Sequence, residues 1–192
     1  MAIPQSAEIA NFALLRLGAD TIANLTEGSV NSGYVLAVYD NCVKTIMREH
    51  NWTFAIKRQT LAESAGTNNT PKTYMYQMPA NCARLICLLD SDKEELLTED
   101  WFVEGDQIYT DEEDVYAKFI DETVATAKYD QDFRWALALL IAWQIAMKIT
   151  ENPKVRVEIY QEYQAALQKA KAKNARSAMS RETEPTLWTS VH

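Results

Sequence analysis

The spacing of apolar residues predicts four helices. Apolar residues recur every three or four positions in residues 5–18 and from about Ser29 to His50, which is the period of an amphipathic helix. From about Gln131 to Thr150 the pattern is apolar almost all the way round, which indicates a helix covered by others on nearly every side. Asn152 and Pro153 then supply an N-cap and a first-turn proline for a last helix to about Ala178. We therefore predict a bundle of about four helices.

Between the second and third of these helices, the apolar period changes to that of a strand. Alternation begins at Trp52 and returns near Tyr74, near Trp101 and in residues 115–120, with polar turn sequences between. These short runs predict a small antiparallel β region. The predicted fold class is mostly α, a helical bundle with a small antiparallel β insertion (α+β). Its predicted parts are the helical bundle in 1–51 and 122–178, the β-rich insertion in 52–121, and an extended C-terminal arm in 179–192.

Composition limits the kinds of partner and the cellular compartment that we expect for this chain. The net charge of −8 argues against nucleic acid or an anionic membrane as the main partner, because both attract clustered Lys and Arg. The three cysteines contain no C-x-x-C pair, which favours free thiols in a reducing compartment. The longest apolar run, 135–143, is far shorter than the roughly 20 residues that span a bilayer. The start of the chain lacks a signal-peptide pattern, so we expect a soluble protein made in the cytoplasm.

Motifs that carry chemistry are missing from the sequence. The two histidines, His50 and His192, have no partner at zinc-binding spacing. The sequence also lacks the glycine-rich phosphate loops and the nucleophile elbow of α/β-hydrolases. We therefore predict no catalytic, cofactor-binding or metal-binding residues, and no cofactor.

The strongest chemical bias is acidic. Between Asp90 and Asp132 there are 16 Asp and Glu against 3 Lys. A calcium loop in this segment is disfavoured because Glu95 stands where the sharp turn needs glycine. A solvated acidic face is the favoured interpretation. A metal-dependent hydrolase that uses this segment stays an alternative, with its densest run of carboxylates at Asp111, Glu112, Glu113 and Asp114.

Aromatic residues concentrate in the predicted β region, at Trp52, Phe54, Tyr74, Tyr76, Trp101, Phe102 and Tyr109. Such rings can form a platform that stacks on bases or sugars. Because Arg and Lys are not interleaved with them, packing in the core and between subunits is favoured. In the arm, Leu187 and Trp188 form an apolar pair of the kind that anchors interfaces. The candidate interface residues are Trp52, Tyr76, Trp101, Tyr109, Leu187 and Trp188.

Five phrases, taken in order, resemble a known family. They are I-x-x-F-A-L-L-R-L-G at Ile9–Gly18, H-N-W-x-F-A at His50–Ala55, M-P-A-N-C at Met78–Cys82, W-F-V-E-G at Trp101–Gly105, and Y-D-x-x-F at Tyr129–Phe133. Their order and spacing resemble the tail tubular protein A family of bacteriophage head-to-tail connectors. The resemblance covers about residues 6–178.

This resemblance implies a virion structural protein at the head-tail junction, assembled in the bacterial host. It implies a ring, commonly of twelve copies, that docks on the portal protein, meets a tail or nozzle protein and leaves a channel for DNA without binding it specifically. It carries over no catalytic residues and involves no membrane. In such a ring we expect Asp111, Glu112, Glu113 and Asp114 to face the channel and repel the DNA backbone. A small protein-binding regulator is a further alternative.

Overall fold

The structure, a computed structural model, describes residues 4–179 and contains four α-helices and six β-strands within them. The chain divides into two compact units. The helical unit takes the residues up to Val43 and those from Ala125 onward, and the β unit is Lys44–Val124. The helices are α1 (Gln5–Arg16), α2 (Val30–Arg48), α3 (Gln131–Thr150) and α4 (Pro153–Met179), with a short 3₁₀ helix at Thr126–Lys128.

The helical unit is built around α3. Asp130 caps this helix, since its carboxylate accepts a hydrogen bond of 2.8 Å from the backbone N–H of Phe133. Both α1 and α4 pack against α3, whose Ala136, Leu137 and Ile141 are fully buried. Small residues on α1, such as Ala13, let the helix backbones approach closely. The apolar pattern all round α3 is therefore explained by neighbours on several sides.

By length and composition alone, α3 is also the one helix within residues 4–179 that could cross a membrane. However, 56 % of its most apolar window is buried inside the chain. A core helix surrounded by other helices has the same composition, so the pattern is weak evidence for a membrane.

One carboxylate at the start of α3 joins it to α4. Asp132 lies 3.6 Å from the Nζ of Lys169 and also pairs with Lys173. The hydrogen bond from Lys173 holds the pKa of Asp132 below its usual value. A carboxylate in the first helical turn also interacts favourably with the helix dipole. Asp132 therefore stabilises the helical unit in its ionised form.

We expect Asp132→Asn to lower the free energy of unfolding by up to about 1 kcal/mol at neutral pH, the usual range for such pairs. A carboxylate whose pKa is lowered on folding contributes stability above its unfolded-state pKa, and this contribution is lost as the pH falls through the lower folded-state value. The difference between wild type and variant should therefore narrow as the pH falls below about 4. Urea denaturation at pH 7 and pH 3 measures this, with the exposed Asp40→Asn as the matched control. An equal difference at both pH values would contradict the proposed role.

The β unit contains two three-stranded antiparallel sheets. The first sheet has the order β1-β6-β3, and the second has the order β2-β5-β4. Their strands are β1 (Ile56–Thr60), β2 (Tyr74–Gln77), β3 (Cys82–Leu89), β4 (Trp101–Glu104), β5 (Gln107–Thr110) and β6 (Tyr116–Asp121).

The predicted fold class is wrong, because it underestimates the amount of β structure. We predicted a mostly helical bundle with a small β insertion, whereas the chain is an α+β protein with two complete sheets. The reason is that several strands carry little alternation. For example, β1 reads Ile-Lys-Arg-Gln-Thr, with four of its five residues exposed. Pairing between strands distant in sequence produces the sheets, and a local pattern underestimates their extent.

Residues of both sheets form the core of the β unit. Ile108 and Tyr76 of the second sheet cluster with Phe119 and Leu88 of the first. Elsewhere in the same unit, Trp52 is fully buried, and its indole N–H donates a hydrogen bond of 2.8 Å to the carbonyl of Ile46. The indole therefore links the end of α2 to the segment that leads into β1.

Candidate functional site

The second sheet has two faces of different character. Strand pairing sets Phe102 opposite Tyr109, and Tyr109 opposite Met75, so these three side chains share one face. Trp101, Tyr76 and Ile108 lie on the other face, where Tyr76 and Ile108 belong to the core. We call the partly buried pair of Phe102 and Tyr109 the aromatic face.

The rings of the aromatic face stack on each other. Their centroids are 5.1 Å apart and their planes differ by 20°. Met75, beside them, is covered by the loop before β2, where a Cβ added to Gly66 would lie 2.9 Å from the Met75 Cε. Stacked, partly buried aromatic rings on a sheet are suited to packing against another protein surface.

Most of the candidate interface residues lie elsewhere. Trp52 and Tyr76 are buried, and the Tyr76 hydroxyl donates a hydrogen bond of 3.2 Å to the carbonyl of Glu112. Trp101 packs against the core, and its buried indole nitrogen has no hydrogen-bond partner among the described residues. Only Tyr109 of these four side chains lies on the aromatic face. The remaining candidates, Leu187 and Trp188, lie outside the described residues.

Phe102 was noted among the aromatic residues of the sequence but was left out of the candidate interface residues. It lies next to Trp101, and in a strand neighbouring side chains point to opposite faces. The alternation therefore showed that one of the two rings points outward, but not which one. The pairing with β5 decides this, because Trp101 lies opposite the fully buried Thr110 and Phe102 lies opposite Tyr109.

The helical unit carries a second apolar surface. The rings of Phe12 and Trp135 meet edge to face with centroids 6.1 Å apart, although each side chain is about 40 % exposed. Leu15, one helical turn after Phe12, is 60 % exposed. We call Phe12, Leu15 and Trp135 the helical patch. Exposed apolar groups that adjoin one another are a feature of interaction sites.

The acidic run from Asp111 to Asp114 forms an exposed, ordered turn between β5 and β6. Asp111 accepts hydrogen bonds of 2.9 Å from both the Nζ of Lys72 and the backbone N–H of Thr73. The Lys72 hydrogen bond, followed by those from Thr73, lowers the pKa of Asp111. Asp114 adopts a left-handed conformation, with φ of 59°. This turn therefore has a local structural role, and its position in a ring stays a prediction.

The other acidic residues do not assemble into a metal site. Glu95 pairs with Lys118, and the Asp90 carboxylate accepts a hydrogen bond of 2.9 Å from the backbone N–H of Glu94. Across residues 4–179, no group of three or more His, Cys, Asp or Glu side chains is placed to hold a metal ion. The hypothesis of a metal-dependent hydrolase thus has no candidate site in this part of the chain.

The cysteines of the chain are free thiols, and Cys42 and Cys87 are buried. Burial raises the pKa of Cys42 to about 12 and that of Cys82 to about 11. A thiol with a raised pKa is a poor nucleophile at neutral pH. These residues act as small apolar groups in the core.

Compared with known proteins, the chain matches no protein-family model, and no curated protein is significantly similar to it. The features that bear on function are therefore those of the chain itself. They are the helical patch, the partly buried aromatic face, the acidic turn and the ordered series of sequence phrases described above.

Proposed function

We propose that the chain is a structural subunit of a phage head-to-tail connector. Copies of the chain form a ring that docks on the portal protein, joins it to a tail or nozzle protein and leaves a channel for DNA. The observation that carries this proposal is the order of the five phrases that resemble the tail tubular protein A family. The proposed location is the head-tail junction of the virion.

Several residues of the five phrases have structural roles in the fold, which supports the resemblance that the phrases indicate. The first ends in Gly18, whose φ of +71° stops α1, and the fourth ends in Gly105, whose φ of +61° makes the turn between β4 and β5. Both conformations favour glycine. The second phrase contains the buried Trp52, and the last contains the N-cap Asp130. Such positions accept few residue types, so their residues carry more information than surface residues do.

The exposed surfaces also suit a ring subunit. A closed ring is made by repeating one contact between two different surfaces of the same subunit. The helical patch and the aromatic face are two such surfaces, and each presents stacked or edge-to-face rings to solvent. Aromatic residues are enriched in the buried centres of protein interfaces. We assign both surfaces to contacts with other proteins in the assembly.

The charge of the chain suits passage of DNA without binding. A net charge of −8 on each copy makes the ring strongly negative, which opposes adhesion of the DNA backbone. In this proposal the exposed turn Asp111–Asp114 contributes to that repulsion from the channel wall. The chain itself catalyses no reaction.

The test is binding to a portal. The purified chain is mixed with the portal ring of the virus that encodes it. The masses of the complexes are measured by native mass spectrometry, and the complexes are imaged by negative-stain electron microscopy. We expect a second ring stacked on one end of the portal. If the folded chain does not bind the portal at micromolar concentrations, the proposal is wrong.

A further inference from the structure

The outer edge of β1 has hydrogen-bonding groups without a strand partner. Ala55 and Leu61 bond to the β6 side, since the Asp121 N–H donates to the Ala55 carbonyl at 2.9 Å and the Leu61 N–H donates to the Val115 carbonyl at 3.0 Å. Backbone groups alternate in direction along a strand. The N–H and C=O groups of Arg58 and Thr60 therefore point away from β6. Among the described residues, the first sheet has no strand on that side.

Just after β1, the outer side of the chain pairs with β2. Beyond β1, the Ala62 carbonyl accepts from the Gln77 N–H at 3.1 Å, and the Ser64 N–H donates to the Met75 carbonyl at 2.8 Å. The segment after β2 then turns away, and the Met78 N–H donates instead to the Asp106 carbonyl at 2.8 Å. Strand pairing on this side therefore stops where β2 ends, and no strand within residues 4–179 pairs with the outer edge of β1.

A cleft begins at the end of β1 and extends to the start of β3. It has a volume of about 790 Å³, and its lining includes Gln59–Ala62, Gln77–Ala80 and the β3 residues Cys82–Leu85. The end of β1 is part of this lining, and an exposed strand edge is the surface to which an extended peptide adds. Leu61, Met78 and Leu85 provide apolar lining for side chains. Its volume lies within the usual range of ligand-binding clefts.

The C-terminal segment of the chain has the sequence of such a peptide. Residues 180–192 follow the described part, and after Pro185 they read Thr-Leu-Trp-Thr-Ser-Val-His. Threonine, tryptophan and valine favour strands. Glu182 and Glu184 precede this run, and they complement the exposed cation Arg58 of β1, whereas Lys57 already lies 3.6 Å from Asp121. Fully extended, residues 180–192 span up to roughly 45 Å.

We propose that Thr186–Val191 of one copy adds as a strand to the outer edge of β1 in a second copy and lies in this cleft. The occupant is thus a segment of the same chain, held by backbone hydrogen bonds to Arg58 and Thr60. This inference concerns contacts between copies and does not depend on docking to a portal.

Two variants of the full chain test the tail and the edge of β1 separately. Thr60→Pro removes an outward N–H, a position where an edge strand tolerates proline, and Thr60→Val keeps the N–H as the matched control. Replacing Trp188 and Thr189 together with proline removes donors on both sides of the tail. We expect each proline variant alone to self-associate at least about tenfold more weakly than wild type, since backbone bonds and steric fit are lost. Mixed together, the two should form a heterodimer by sedimentation velocity, because one keeps the tail and the other keeps the cleft.

A labelled peptide of residues 182–192 provides the second measurement. The control is the same peptide N-methylated at alternate residues, which cannot donate the backbone hydrogen bonds and leaves the fold of the protein unchanged. By fluorescence anisotropy, the unmodified peptide should bind the double-proline variant at least about tenfold more tightly than this control. Three results would overturn the proposal: equal binding of both peptides, equal binding to the Thr60→Pro and Thr60→Val variants, or a monomeric wild type whose own tail blocks the peptide.

Discussion

Replacing Trp52 with alanine is expected to lower the free energy of unfolding of the β unit by about 3–5 kcal/mol. The side chain is fully buried, stacks near Phe54 with ring centroids 6.1 Å apart, and donates a hydrogen bond to the Ile46 carbonyl. Alanine would leave a cavity and also leave that carbonyl without its indole donor. Because single domains have only about 5–15 kcal/mol of stability, this change alone brings the unit close to unfolding.

The control for this prediction is Trp135→Ala. Trp135 is also a tryptophan in contact with another ring, but it is 41 % exposed, so its loss should cost far less stability. Guanidinium denaturation followed by near-ultraviolet and far-ultraviolet circular dichroism measures both variants. Equal losses of stability in the two variants would mean that Trp52 does not hold the β unit together.

Replacing Phe102 with glutamate is expected to prevent ring assembly while leaving the fold intact. The side chain is only partly buried on the aromatic face, so a charge there costs less in the free subunit than when a neighbour removes it fully from water. We expect assembly to weaken at least about a hundredfold, the effect of losing a central aromatic anchor. Mass photometry of the assembled protein measures this, with helix content followed in parallel.

The matched control is Leu97→Glu, which places the same charge on a 64 % exposed residue of the same unit. That variant should assemble normally. Charged substitutions at Trp101 or Tyr76 are less informative, because these side chains pack in or against the core and a charge there would disrupt the sheet. If Phe102→Glu assembles as well as wild type, the aromatic face is not a subunit interface.

The sequence predicted the helical half of the fold better than the β half, for a physical reason. The ends of α3 and α4 depend on local chemistry, namely the cap at Asp130 and the first-turn proline at Pro153, and both can be recognised in the sequence. The pair that joins α1 to α4 cannot, because Arg16 and Glu162 are 146 residues apart, although they meet at 2.9 Å and 2.5 Å. Long-range contacts follow from packing, which a local pattern does not contain.

The candidate site shows the same limit at the scale of one residue. Aromatic enrichment in the β region indicated an interaction surface, but deciding between Trp101 and Phe102 required the register with β5, which favours Phe102. The turn Asp111–Asp114 was recognised as acidic, yet its bonds to Lys72 and Thr73 join segments 38 and 39 residues apart. Sequence alone thus identified the residue types of the site, and the strand pairing decided which of them face solvent.

The central claim is that this chain forms a ring at the head-tail junction of a phage particle. If the chain is encoded by a phage as proposed, electron cryomicroscopy of that phage's particles tests it most directly. We predict a closed ring beneath the portal, in which each subunit shows the long helices α3 and α4 side by side and the two three-stranded sheets. A junction built entirely from other chains, in particles that lack this protein, would contradict the claim.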